Sequence, residues 1–302
     1  MKILNTALFL LACNFGWAQQ VADSNFTFKN ENPRYANGKG TRVWIDEAHY
    51  NFHTSTGRYA PFAKVVREDG YTVEANTKEF TVKNLENCGI LVVANALHKK
   101  NATSGWIVPT PSFVSKAEIK ALKKWVNEGG SLFLIADHMP FAGAAYELGK
   151  AFGFEFVNGF ALDAKQRNME YFTIQNGGLI ENEISRGNGK NEKVDTIVTF
   201  TGSAFKISDG AVPLVYLGEN YSVLMPDTAW QFNKNTDTLS ANGLFQGAYK
   251  KVGKGKIVVF GEAGMFSAQI GMGQKFGMNL PESKENPQLL LNIIHWLDPF
   301  EK

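Results

Sequence analysis

Trp125-Val126-Asn127-Glu128-Gly129-Gly130-Ser131-Leu132-Phe133-Leu134-Ile135-Ala136-Asp137-His138 decides the reading of the fold. Upstream of it, Ser115-Lys116-Ala117-Glu118 has the Ser-x-x-Glu spacing of a capping box, and Ile119, Leu122, Trp125 and Val126 fall on one face of the helix it opens. Gly129-Gly130 ends that helix, because glycine takes the left-handed conformation that helix termini favour. The run 131–136 is short and apolar, as a strand buried on both faces is. It ends in an acid and a histidine. Helix, glycine turn, buried strand and polar turn together form the repeating unit of a parallel α/β sheet.

The same texture recurs on both sides. Residues 42–45 read as a first buried strand, and Pro61 opens a helix through Phe62, Val65 and Val66 that stops at Asp69-Gly70. Strands are expected at 71–74 and 85–94, a helix at 144–152, a last parallel strand at 256–260 with the turn Gly261-Glu262-Ala263-Gly264, and a closing helix at 286–297. Residues 19–40 read as an extended lead-in. Between 158 and 253 the texture changes to short Thr- and Val-rich runs (194–201, 212–217, 221–225) separated by Gly, Asn and Asp. That stretch reads as a β-rich insertion, because the α/β pattern resumes after it. The expectation is a single α/β domain over 19–302: an open, mostly parallel, doubly wound sheet with helices on both faces, plus the insertion.

Residues 1–18 have the charged start, short apolar core and Gly16-Trp17-Ala18 ending of a signal peptide, which implies a periplasmic or secreted protein. Leu10-Leu11-Ala12-Cys13 also reads as a lipoprotein signal with Cys13 as the lipidated residue. No later segment is apolar enough for a transmembrane segment. Cleavage after Ala18 leaves Cys88 as the only cysteine, so stability rests on a core and not on an intrachain disulfide. Net charge is +2 with acids and bases interspersed, which leaves no basic stripe for nucleic acid. Oligomeric state is not legible.

In a parallel α/β sheet, ligands bind beyond the carboxyl ends of the strands. Asp46-Glu47-Ala48-His49-Tyr50-Asn51-Phe52-His53 follows the first strand, Asn95 to His98 the third and Asp137-His138 the fourth, so four of five histidines fall at one edge. Asp46-Glu47-Ala48-His49 spells a helicase box, but no G-x-x-x-x-G-K-[ST] loop exists, and Gly247 to Gly253-Lys254 has the wrong spacing and no Ser/Thr. The helicase reading is excluded. Asp46, His49, His53 and His138 have the N/O ligand types of a divalent metal site but match no metal motif, so no cofactor is expected while a metal stays open.

The stretches Asp46 to Asn51, Trp125 to Leu132 and Ile135 to His138 resemble the glutamine-amidotransferase-like superfamily with its flavodoxin-like α/β fold. The resemblance covers about residues 40–160 and 255–297. It points to secreted members found with polysaccharide-degrading enzymes. Amidotransferases of this fold carry a nucleophilic Cys at a strand-to-helix elbow. Here that turn holds Asp137-His138, and Cys88 starts a strand, so amidotransferase chemistry does not carry over. Among carbohydrate-active members the chain is similar to the oligosaccharide dehydratases of ulvan breakdown. That similarity implies a lyase removing water from the non-reducing-end uronic acid of an acidic oligosaccharide to leave a 4,5-unsaturated sugar.

Such a reaction needs a base for the C5 proton, an acid for the C4 hydroxyl and a cation on the carboxylate. His49, His53 and His138 are candidates for the first two, with Asp46, Glu47 and Asp137 to orient them. Arg58 and Arg167 are candidates for the carboxylate, Asn51 and Asn95 for substrate hydroxyls, and Trp106 for stacking on a sugar ring. Hydrolysis of a glycosidic or ester bond, and carbohydrate binding without catalysis, remain alternative readings. The residues also have structural readings: any one acid or histidine at a strand end serves as a cap, His98 as a loop residue, His295 as a packed histidine and Asp69 as turn chemistry, with Phe113, Trp125 and Trp296 in the core.

Overall fold

The computed structural model describes residues 20–165 and 169–300. Eleven strands join in one sheet. In chain order they are β1 (Arg42–Asp46), β2 (Thr72–Asn76), β3 (Ile90–Ala94), β4 (Ser131–Ile135), β5 (Phe154–Asp163), β6 (Gly202–Ile207), β7 (Val212–Tyr216), β8 (Tyr221–Met225), β9 (Asp237–Ser240), β10 (Phe245–Val252) and β11 (Gly255–Phe260). The helices are α1 (Ala60–Glu68), α2 (Lys99–Ser104), α3 (Lys116–Asn127), α4 (Phe141–Ala151), α5 (Glu183–Arg186) and α6 (Asn286–Leu297). The parallel centre has the order β2-β1-β3-β4-β11. From β11 outward the sheet continues antiparallel through β10, β6, β5, β8 and β9, with β7 also on β10.

Every residue of β3 and β4 is buried. Alternation along β4 sends Phe133 and Ile135 into a cluster with Phe62 of α1 and Ile293 of α6. Leu132 and Leu134 join Leu122 and Val126 of α3 and Phe141 and Leu148 of α4. Truncating any of these side chains to Ala costs about 2–5 kcal/mol.

The unit 115–138 forms as its chemistry dictates. Ser115 Oγ accepts the Glu118 N–H, and the Glu118 carboxylate accepts the Ser115 N–H in return. At the other end the Gly130 N–H reaches the Trp125 carbonyl and the Gly129 N–H the Val126 carbonyl, a Schellman closure with Gly129 at φ +124°. Gly130 is required for space: a Cβ there would sit 2.1 Å from the Trp125 ring.

Several boundaries differ from expectation. The third strand starts at Ile90 and not at 85, because Leu85 begins a turn that returns the Cys88 N–H to the Leu85 carbonyl. The insertion begins earlier, with β5, and its strands extend the same sheet. One run expected within it, Thr196–Thr199, instead pairs with Glu170–Thr173 as a two-stranded ribbon. In the lead-in, Val21–Ala22 pairs with Ala268–Gly271.

Asp69 does more than make a turn. Fully buried, it accepts bonds from Asn30 Nδ2 and the Arg34 N–H and contacts His295 Nε2, which fastens the lead-in to α1 and α6. The segment 1–18, Cys13 and Arg167 lie outside the described residues. Among the described residues no helix is long and apolar enough to cross a membrane.

The chain leaves β1 toward β2 on one side and returns to β3 on the other. The strand order therefore reverses between β1 and β3, and the carboxyl edge at such a reversal is the expected ligand position in this kind of sheet.

Candidate functional site

Three loops meet at this edge through Asn95. Its N–H reaches the Ile135 carbonyl, its own carbonyl accepts the Phe52 N–H, and its Oδ1 accepts the Asp137 N–H at 2.9 Å. Asn51 Oδ1 accepts the His49 N–H, and Glu47 Oε1 accepts both the N–H and the hydroxyl of Ser55. These three expected site residues shape the loops.

The three histidines do not converge. His49 turns away under α3, with Nδ1 2.8 Å from Asp46 Oδ2 and Nε2 2.9 Å from Glu118 Oε1, and its ring packs against Phe80 and Phe113. Burial disfavours its cation, but the two carboxylates more than offset this and raise its pKa. With both nitrogens occupied, His49 is a strut between β1 and α3. Asp46 completes the strut by accepting a bond from Asn76 Nδ2.

His53 is sealed, its ring 4.6 Å from Tyr59 with neither nitrogen bonded. Burial, with the nearby Arg58 charge, pushes its pKa down to about 3, so it is neutral. His98 caps α2 by accepting the Lys100 N–H.

His138 sits differently. Its N–H donates to Asp137 Oδ1, and Nδ1 lies 2.7 Å from the Met139 carbonyl, which only a protonated Nδ1 can satisfy. In the neutral ring Nε2 then carries the lone pair, and it bonds to no other described residue. Aromatic rings surround the imidazole: Phe160 stacked at 4.5 Å, Trp230 edge-on at 4.8 Å and Trp106 at 6.0 Å.

The row continues from Trp106 to Phe52 at 5.3 Å, and the Arg58 guanidinium lies over the Phe52 ring at 3.8 Å. Arg58 is half-buried with Nε unbonded, it donates only a 3.4 Å bond to the Phe52 carbonyl, and it forms no ion pair among the described residues. Burial lowers its pKa.

Besides Glu118, sequence reading missed a second carboxyl, Glu262. In-register pairing ends at Ile135 and Phe260 on β4 and β11, which puts Asp137 and Glu262 at matching positions two residues on. Glu262 accepts the N–H groups of Gly264 and Met265. Burial, then the Asp137 charge, raises its pKa well above the ordinary range. Burial also raises that of Asp137, against the opposing His138 charge and hydrogen bonds. The pair thus holds a proton at pH values where an exposed carboxyl has lost it. The signal for Glu262 was available, since Gly261-Glu262 follows an apolar strand just as Ala136-Asp137 does.

The site therefore divides in two: the strut Asp46-His49-Glu118, and the row from Arg58 through Phe52 and Trp106 to His138 with the acid pair behind it. No group of three or more His, Cys, Asp or Glu among the described residues is arranged to hold a metal ion. Two cavities lie elsewhere, one of about 250 Å³ lined by Tyr171, Asn176 and Tyr216, the other of about 220 Å³ lined by Arg34, Asn292 and His295.

Comparison with solved structures bears on the fold. The chain has the fold of the IFT52 N-terminal domain. The match has a TM-score of 0.59 at 16% identity, over 87% of this chain and 99% of that one. A ThuA-like protein from Bacteroides uniformis matches over 91% of this chain and 99% of its own, with a TM-score of 0.43 and 13% identity. A cytoplasmic protein from Salmonella typhimurium matches over 85% and 98%, at 0.47 and 12%. No family model and no curated protein sequence matches the chain.

Proposed function

We propose that this chain is an exported enzyme of the amidotransferase-like, doubly wound class, acting as a carbon–oxygen lyase on acidic oligosaccharides. Two apolar clusters, one on each face of the parallel strands, support the doubly wound reading. The export assignment rests on the pattern of residues 1–18. The observation that carries the activity is the Arg58 guanidinium: half-buried, without a carboxylate partner among the described residues, and sharing one aromatic row with His138. A half-buried cation without a counter-ion is costly, and a substrate carboxylate supplies the missing charge.

In the proposed reaction Arg58 grips the uronate carboxylate and so acidifies the C5–H bond. His138 Nε2 takes that proton, and its electron pair becomes the C4–C5 double bond. The C4–O bond breaks, and the oxygen takes the proton of the Asp137–Glu262 pair and leaves as water. Asp137 is assigned as the donor of the two because it adjoins His138, whose backbone N–H it accepts. His49, Asp46 and Glu47 act at a distance by holding the loop, and Asn51 and Asn95 do the same.

Mass spectrometry of a uronate-ended oligosaccharide after incubation tests this reading. Loss of one water is expected. Gain of one water identifies a hydrolase instead, and an unchanged mass with measurable affinity identifies a binding protein.

A further inference from the structure

Residues 226–236, between β8 and β9, leave the antiparallel half of the sheet and reach the carboxyl edge of the parallel half. Two hydrogen bonds lock them there, the Val108 N–H to the Asp227 carbonyl and the Ala229 N–H to the Trp106 carbonyl, and together they make the antiparallel bridge between Ile107 and Thr228. Ala229 then packs with Met139 and Phe160. Trp230, the next residue, adopts φ +66°, a left-handed conformation that bulky residues seldom take. Despite this anchoring, its side chain is 39% exposed, and so is Phe232 at 38%. Both rings rest edge-on against Phe160, at 4.7 and 5.1 Å, so they are presented together. Strain of this kind persists where surrounding structure enforces it, and it gathers at binding sites.

We propose that Trp230 and Phe232 form a stacking subsite for the sugar next to the acidic terminal residue, so that the site selects oligosaccharides of two or more sugars over a free uronic acid. The inference rests on the reading of Arg58 and His138 given above. The occupant follows from what the aromatic row contains. Trp230 borders His138, whose Nε2 bonds to no described residue, and the same row ends at the Arg58 cation. A lipid or apolar peptide laid along this row would strip water from both groups and return no hydrogen bond. A pyranose has one C–H face for the rings and a rim of hydroxyls for the polar atoms, and an acidic neighbour supplies the charge that Arg58 lacks. Trp106 and Trp230 both border His138, one from each side of the Ile107–Thr228 bridge, so the insertion supplies one wall of the site.

The test is calorimetric titration of the full chain with a free uronic acid and with di- and tetrasaccharides ending in the same uronate. Wild type is expected to bind the longer ligands at least tenfold more tightly than the free acid. W230A abolishes that advantage, F232A reduces it while leaving free-acid affinity unchanged, and W230F retains most of it. An advantage of wild-type size in both alanine variants overturns the proposal, and F232A alone decides it should W230A not fold. If wild type binds acid and oligosaccharide equally, the subsite is overturned and the Arg58 reading stands. If wild type binds neither, both fall together.

Discussion

Asp137 and Glu262 stand side by side at the carboxyl ends of neighbouring parallel strands, each two residues beyond the register pair Ile135–Phe260. Both have raised pKa values, so over a range of pH the folded chain holds protons that the unfolded chain has released. Their contribution to stability is therefore greatest below the unfolded carboxyl pKa values, about 4, and declines as pH rises through the folded ones. Asp137→Asn removes one charge and keeps the shape, so it flattens this decline in urea unfolding measured as a function of pH. An unchanged slope contradicts the pairing.

His53 acts on the acid side. Its pKa falls from 6.5 to about 3 on folding, so its contribution is present above 6.5 and is lost as pH drops toward 3. The size is roughly 3–5 kcal/mol. In acid titrations monitored by circular dichroism, His53→Leu loses this window while the Asp137–Glu262 decline remains. A variant as acid-labile as wild type contradicts the sealed, neutral state of His53.

Glu118 caps α3, bonds to His49 and accepts the Phe80 N–H. Its replacement by Ala breaks all three and leaves a buried imidazolium beside Asp46 alone, at a cost of about 2–4 kcal/mol. Ser115→Ala removes only the cap, at about 1 kcal/mol. Denaturant midpoints compare the two. Equal losses would show that the His49 strut contributes nothing.

Arg58→Met weakens binding of a uronate-ended oligosaccharide by about a hundredfold, in line with the roughly 1.5–3 kcal/mol of a charge-assisted hydrogen bond. Arg58→Lys recovers only part of the loss, since an ammonium lacks the planar fork and its stacking on Phe52. A neutral oligosaccharide is expected to bind both variants as it binds wild type. Equal losses for neutral and acidic ligands would place Arg58 outside carboxylate recognition.

The parallel strands, the α3 cap and the Gly129-Gly130 closure were legible in sequence because each depends on residues within a few positions of one another. Helix α6 was read to its boundaries for the same reason: a continuous apolar run opened by Pro287. The edge carrying Asp46, Asn95 and Asp137 was legible too, since it follows from strand direction alone. Partners were not. Glu118 lies 69 positions from His49, and only sheet order brings them together. A capping box explained Glu118 locally, and nothing nearby suggested a second role. Trp230 was hidden because its segment has no periodicity and reaches the site through two backbone hydrogen bonds. The histidines misled for a related reason: proximity in sequence at a strand end does not set the partners of a side chain, and His49 is taken up by Asp46 and Glu118 while His53 is buried against Tyr59.

The central claim is that His138 Nε2 draws a proton from a substrate whose carboxylate Arg58 holds. A time course of absorbance at the enol-ether band, with wild type and His138→Gln on the same uronate-ended oligosaccharide, tests it most directly. Wild type is expected to produce the band with loss of one water. His138→Gln, folded to the same thermal midpoint, is expected to be slower by about 10²–10⁴-fold. Wild-type rates in His138→Gln, or no band from wild type, would contradict the account.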